Sequence, residues 1–425
     1  MATQYKNSSY KKKTLLPTGG YAVVMILMSL VAIAFMVMLT VVNAFPKELT
    51  MALLVVMASL MIITCVLFKR KHRWLRIVGI LFAIIFVGIY GLGTYYLAGT
   101  FTAFARISTS GDTSRSAGKD LTEKAFNIYI TGIDQWESEK GLDMERSDVN
   151  MIVTVCPQTR RILLTSIPRD TYIKLHTAQQ MDKLTHTGVY GVDETLNTVE
   201  DWLGINMDYY VKMNFTAVVD LINAIGGVDV YSPKEFVPVK RSWWTVKKGW
   251  NHMNGKEALA FARERKAFGS EDAVRVENQQ RVVDAILRKL MTSPALLTKY
   301  SKILDAASNN MSTDMTSAEM QQLVKMQLAD MGEWDIEKQK IKGEYAMDYV
   351  ASLTQNQQFQ VYKAYDTSVE EVKNKIERVM TPTDEELAQI KEEKQKQSVI
   401  SFLKNIRNAG GDEDADKDKD KDKEK

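Results

Sequence analysis

The chain has 425 residues, of which 45% are hydrophobic and 25% charged, enough for a membrane anchor plus one ordinary domain and too polar for a wholly lipid-embedded protein. Its 55 basic and 52 acidic residues leave a net charge of +3, too small a field to argue for nucleic-acid binding by the whole chain. Two cysteines, Cys65 in an apolar run and Cys156 far beyond it, exclude a disulfide framework and a cysteine metal site.

Three apolar runs come first, at 20–45, 51–68 and 77–98, each free of interior charge and long enough to cross a hydrocarbon core as a helix. The first exceeds the apolar region of a secretory signal, and two more follow it, so it reads as a span. Basic residues cluster before the first run (Lys6, Lys11, Lys12, Lys13) and between the second and third (Lys69, Arg70, Lys71, Arg73, Arg76). The loop between the first two holds only Lys47 and Glu48. Because lysine and arginine resist translocation, residues 1–19 are expected in the cytoplasm and the chain after about 100 outside a multi-pass cell membrane.

Residues 100–122 are rich in Ser, Thr and Gly and read as a linker. From 123 to 291, strand-like and helix-like stretches alternate. NIYITG, NMIVTV and RILLTSI are β-branched runs; residues 193–203, 215–225, 255–263 and 272–290 carry helical periodicity. Gly226-Gly227 ends one helix before an extended Val228-Asp229-Val230. The pattern predicts an α/β sandwich. Residues 292–380 read as a more polar helical extension with no catalytic cluster, and 381–425 as a charged tail whose Asp-Lys end cannot bury enough apolar surface to fold.

Charged residues sit where strands end. Asp134 follows YITG, Arg146 and Asp148 flank Ser147 before the second strand, and Arg169 and Asp170 follow SIP after the third. In α/β sheets such ends gather ligands. Asp134 and Asp148 have the hard oxygen chemistry for a divalent cation such as Mg²⁺, and arginines suit phosphate. The same residues also fit a turn cap and solvated loop charges. A second cluster runs through GKEALAFARER to Asp272, Arg275 and Gln279; Arg275 and Gln279 share a helix face, and Asp272 is placed to cap that helix. Arg281 and Arg288 fit a plain charged helix face. No nucleophile elbow, P-loop, dinucleotide fingerprint or HExxH is present, and the four histidines are scattered, with His186 a weak candidate.

Taken in order, NIYITGID, RSDVNMIVTV, TSIPRDTYI, KLTHTGVYG, INAIGGVDV, HMNGKEALAFARER and EDAVRVENQQR resemble the LytR-CpsA-Psr family, over about Asn127 to Arg288. The three-helix anchor resembles that of capsule-type and Psr-type members from Gram-positive bacteria. The resemblance implies an α-β-α sandwich catalytic domain between the anchor and a helical extension. It implies an enzyme that moves a glycan polymer, wall teichoic acid, capsular polysaccharide or similar, from a polyprenyl pyrophosphate carrier to peptidoglycan through a phosphodiester. By the same resemblance Asp134 and Asp148 would bind Mg²⁺ or Mn²⁺. Arg146, Arg169, Arg263, Arg265 and Arg275 would grip the pyrophosphate, Gln279 would support them, and Asp170 and Asp272 would orient arginines. Lys183 falls where the family has a lysine, but Thr185 stands where it usually has asparagine. The competing reading is a non-catalytic polyprenyl-lipid or wall-glycan binding protein. Direct DNA binding finds no motif in the chain.

Overall fold

The computed structural model describes residues 18–396 except 44, 109–114, 116–118, 134–145, 240–243, 266, 268–271, 293–299, 309, 330–331, 354–356, 391 and 393–395. Three helices are long and apolar enough to cross a membrane: α1 (Thr18–Val42), α2 (Lys47–Lys69) and α3 (Arg73–Ile107). They pack through a cluster that includes Met28, Phe35, Met57, Phe86 and Tyr90. Phe35 meets Tyr90 edge-on at 5.0 Å between ring centroids, a favoured aromatic geometry. Gly93 makes room for it: a Cβ there would lie 2.9 Å from the Phe35 ring.

One boundary differs from expectation. Residues 100–107, expected as linker, are the last turns of α3. The Ser/Thr content there masked a helical stripe, Ala103, Phe104 and Ile107, that packs on Leu304 and Ala307. Of the expected linker's remainder, 109–114 and 116–118 lie outside the described residues, as do 1–17 and the tail from 397.

The chain divides into two compact units. The first comprises residues 1–118, 131–145 and 209–333. Besides the three long helices it holds β6 (Tyr209–Asn214), α5 (Phe215–Ile225), the hairpin β7 (Val228–Ser232) and β8 (Gly249–Met253), α6 (Gly255–Ala262), α7 (Asp272–Thr292), α8 (Tyr300–Ser308), β9 (Met311–Thr313) and α9 (Ser317–Ala329). Gly226 and Gly227 end α5 at φ 89° and 87°, the left-handed region that glycine enters without a Cβ clash. The core gathers Ile222, Val228, Val230, Met253, Phe261 and Ile303.

The second unit comprises 119–130, 146–208 and 334–425. Its sheet runs β10 (Asp335–Lys340), β3 (Arg161–Ile167), β2 (Ser147–Cys156), β1 (Phe126–Ile133, whose last three residues belong to the first unit). β2 and β3 are antiparallel, β3 and β10 parallel. β2 and β3 are almost wholly buried, which explains their unbroken apolar runs. Two short hairpins, β4 (Tyr172–Lys174) with β5 (Met181–Lys183) and β11 (Gly343–Asp348) with β12 (Phe359–Ala364), complete the strands. The helices α4 (Val192–Leu203) and α10 (Asp366–Met380) pack in the same unit, α10 against β2 and β3. The stretch from 292 to 380 thus contains helices α8, α9 and α10, and also four strands that its polar sequence does not announce. β10 reads DIEKQK because it carries charge along one margin of its unit's sheet order.

Candidate functional site

In the second unit, β2 and β3 run antiparallel to a last pair, Asn150 opposite Ile167. Asp148 precedes that pair by two residues and Arg169 follows it by two, so both emerge at one end of the ladder. The Asp148 Oδ1 accepts a hydrogen bond from Arg169 Nη1. Arg169 Nε lies 3.7 Å from Asp170 Oδ2, and Lys183 Nζ lies 3.4 Å from Asp170 Oδ1. Four side chains, each 15–25% exposed, thus form an alternating chain of charge, Asp148, Arg169, Asp170, Lys183. Arg146 is exposed just before β2.

The backbone sets this geometry. Thr171 closes a turn on the Pro168 carbonyl, and the β4–β5 pairing puts Lys183 opposite Tyr172. Leu184 and Thr185 amides then donate to the carbonyls of Thr171 and Arg169 at 2.9 and 2.8 Å. Thr185, where asparagine is usual in the resembled family, is held beside Arg169 by its main chain. At the start of β2, Tyr129 and Ser147 hydroxyls both donate to Asn150 Oδ1 at 2.6 Å. This fully buried knot anchors the strand end that carries Asp148, and burial drives the Tyr129 phenol pKa upward.

His186 belongs to a different arrangement. Its Nδ1 is 2.6 Å from Asp182 Oδ1 and 2.8 Å from Ser352 Oγ, while the Ser352 amide donates to Asp182 Oδ2 at 2.8 Å. Both partners reach the same ring nitrogen, so this is no serine, histidine and acid relay, which uses opposite nitrogens. It is a joint between buried Asp182 and His186 and an exposed Ser352. Burial pushes the Asp182 carboxyl up, but bonds from His186, Ser352 and the Lys183 amide outweigh it and hold the group below its ordinary pKa.

The first unit carries the other arginines. Asn254 and Glu257 form a reciprocal capping box at the start of α6, and the Gly255 amide donates to Asn223 Oδ1 at 2.9 Å. A Cβ on Gly255 would lie 2.7 Å from the Val219 carbonyl carbon, so only glycine lets α6 approach α5 this closely. Arg263 follows α6 with its guanidinium 4.2 Å from the Phe215 ring centroid. Glu264, 4% exposed, accepts backbone amides from Val239, Arg265 and Ala267 at 2.8, 3.1 and 3.0 Å and so shapes the loop that bears Arg263 and Arg265. Arg275 is buried on α7, one turn from the half-buried Gln279. Asn278, fully buried, donates to the Phe261 carbonyl at 3.3 Å and ties α7 to α6. Arg281 and Arg288 pair with Glu277 and Asp284 on their own helix. Glu264, Asn278 and the Tyr129 knot escaped the sequence reading; the one signal for Glu264 was an acid inside an arginine run.

Asp272 begins α7, its side chain outside the described residues, and Asp134 lies outside them altogether. Among the described residues no group of three or more His, Cys, Asp or Glu forms a cation site. Asp148, 17% exposed, retains the hard oxygen chemistry that a divalent cation takes.

A sheet of buried strands, with an arginine and acid network at its ladder end, and three helices long and apolar enough to cross a membrane define a mixed α/β protein with a charged cluster at a strand end. The LytR_cpsA_psr family model matches residues 94–378, and the chain belongs to that family. It is 31% identical over 252 residues to the polyisoprenyl-teichoic acid–peptidoglycan teichoic acid transferase TagU of Bacillus subtilis, covering 58% of this chain and 80% of that relative. Among solved structures, that of B. subtilis TagV superposes with a TM-score of 0.50 at 31% identity, covering 62% of this chain and all of that one. TagT bound to LIIa-WTA gives 0.52 at 26% identity, with 64% and 98% covered.

Proposed function

We propose that the chain transfers a glycan polymer from a polyisoprenyl pyrophosphate carrier to peptidoglycan, forming a phosphodiester, with teichoic acid, the substrate in TagU's name, as the leading polymer class. The observation that carries this is the Asp148, Arg169, Asp170, Lys183 network in a chain of this family. Phosphoryl transfer asks a protein for positioning and charge compensation more than for covalent chemistry. Arg169, pre-oriented by two carboxylates, is suited to grip a phosphate bidentately. Arg146 and Lys183 add charge in the same unit; Arg263, Arg265 and Arg275, with Gln279, give the first unit its own set of groups suited to phosphate. Asp170 lies against Arg169 and is suited to orient it.

Mg²⁺ or Mn²⁺ is the cation the family resemblance implies; among the described residues Asp148 would hold it, and when bound it would supply neutralisation of the pyrophosphate. The lysine and arginine distribution in the short loops supports a multi-pass cell membrane protein with its α/β part outside. That position puts the network on the side where peptidoglycan lies.

The test uses the full chain in nanodiscs with a polyisoprenyl pyrophosphate-linked glycan, Mg²⁺ and peptidoglycan oligomers. Covalent transfer that falls by about 10²- to 10³-fold in Arg169→Ala is expected. Tight lipid binding with no transfer by the unaltered chain would replace this reading with that of a lipid-binding accessory protein.

A further inference from the structure

The hairpin β11–β12 and the residues just after β11 hold no member of the charged network, yet they are bonded to the chain that carries it. The Tyr362 amide of β12 donates to the Asp170 carbonyl at 2.7 Å, and Tyr362 forms a parallel bridge with Thr171. Beyond β11, the Tyr349 carbonyl accepts the Tyr172 hydroxyl at 2.8 Å, and the Ala351 amide donates to the Met181 carbonyl at 3.1 Å. The next residue, Ser352, sends its amide to Asp182 Oδ2 across 170 positions of sequence. Both sides of the contact between Asp170 and Lys183 are therefore held by one segment, which lies in the same unit.

Asp182 is where these ties converge. Its side chain is fully buried, and its other oxygen accepts the Lys183 amide at 2.7 Å and His186 Nδ1 at 2.6 Å. An ionised carboxylate only accepts, so Nδ1 carries a hydrogen, and the ring ties Asp182 to the short helix Leu184–Thr187 that follows Lys183. A buried carboxylate keeps its donors in a narrow geometry, because a donor that moves away leaves charge uncompensated. The residue so confined is Lys183, whose ammonium rides on a flexible four-carbon stem and is aimed only as well as its main chain is fixed.

We infer that Asp182 is a positioning residue for the phosphate-binding network: with His186 and Ser352 it fixes the main chain at Lys183 and so sets where the ammonium stands beside Asp170 and an anion bound there. The inference rests on the proposed grip of pyrophosphate by that network. It gives residues 343–364, which lie in a stretch whose sequence shows no catalytic cluster, a part in the chemistry: they brace the site from behind. Misplacement of a binding group by about 1 Å costs up to roughly 10²-fold, so such a brace is worth having.

A double-mutant cycle on the full chain in phosphatidylcholine nanodiscs tests this, read as the affinity for inorganic pyrophosphate with Mg²⁺ by titration calorimetry and, separately, as glycan transfer. Asp182→Asn is expected to weaken pyrophosphate binding about tenfold when Lys183 is present and less than about twofold when Lys183→Ala has already removed the ammonium. A residue that only supports the fold would cost both backgrounds equally. The same cycle with His186→Ala serves if Asp182→Asn does not fold, and His186→Asn, whose side-chain amide can place a donor near Nδ1, should recover most of what His186→Ala loses. Pyrophosphate binding that follows the cycle, in a chain that transfers no glycan, would keep the inference and remove the transfer reading. Equal losses in both backgrounds, no pyrophosphate binding by the unaltered chain, or no gain of His186→Asn over His186→Ala would overturn the inference.

Discussion

Arg169 and Asp148 are joined by a hydrogen bond between side chains that leave adjacent antiparallel strands at the same end of the ladder. Arg169→Ala is expected to lower glycan transfer by about 10²- to 10³-fold, the usual loss when one preorganised charge donor is removed. Arg169→Lys keeps the charge but not the fork, and should recover only part of the activity. Initial rates of transfer for the three proteins, at matched reconstitution, check both.

Glu264 offers a test of how the first unit holds its arginines. Glu264→Ala leaves three backbone amides without their acceptor, at about 1–3 kcal/mol for each that water does not reach. Amide exchange in 263–267 should accelerate and transfer should fall. Glu264→Gln keeps one acceptor oxygen, enough for the two amides bonded to Oε1, and should lie between.

Asp314 sets an expected pH dependence. Burial raises its carboxyl to about 6, against a bond from the Tyr210 amide that favours ionisation. The unfolded acid ionises near its ordinary value of 3.8, so this group's contribution to stability is greatest below that pH and declines as pH rises from there to about 6. Above 6 the penalty is constant, at most about 3 kcal/mol. Asp314→Asn should raise the unfolding midpoint at pH 7.5 and flatten the acid-side slope, read by thermal unfolding in detergent from pH 4 to 8. An unchanged slope would place the dependence elsewhere.

Gly255→Ala brings a methyl against the Val219 carbonyl, where backbone must shift. A loss of about 1–3 kcal/mol is expected, as for overpacking, with a lower unfolding midpoint and, because α6 leads directly to Arg263, reduced transfer. Comparison with Gly91→Ala, whose Cβ would meet nothing within 4 Å, separates the contact from glycine's helix propensity.

Much of this was legible in the sequence. β3 and α5 fall at their expected bounds because unbroken β-branched runs and helical apolar stripes reflect burial directly. Arg169, Asp170 and Lys183 could be named but not joined, since their meeting depends on the β4–β5 hairpin register. Ser352 could not be foreseen beside His186, from which 166 residues separate it. β10 stayed hidden because a charged strand at the margin of a sheet looks like a polar helix or loop. Glu264 left only the trace of an acid inside an arginine run, because its backbone amide partners have no signature in the sequence.

The length of α3 has a practical consequence for handling the protein. At 35 residues it measures roughly 50 Å, well beyond the roughly 30 Å of a hydrocarbon core, and its final turns are part of the packing around Leu304 and Ala307. A shortened chain that begins after residue 107, the natural choice for making a water-soluble form, would strip one wall from that packing and leave apolar side chains bare. Activity lost in such a form would report damage at the cut, and a cut near residue 94, which spares Ala103, Phe104 and Ile107, is the one that allows a fair comparison with the full chain.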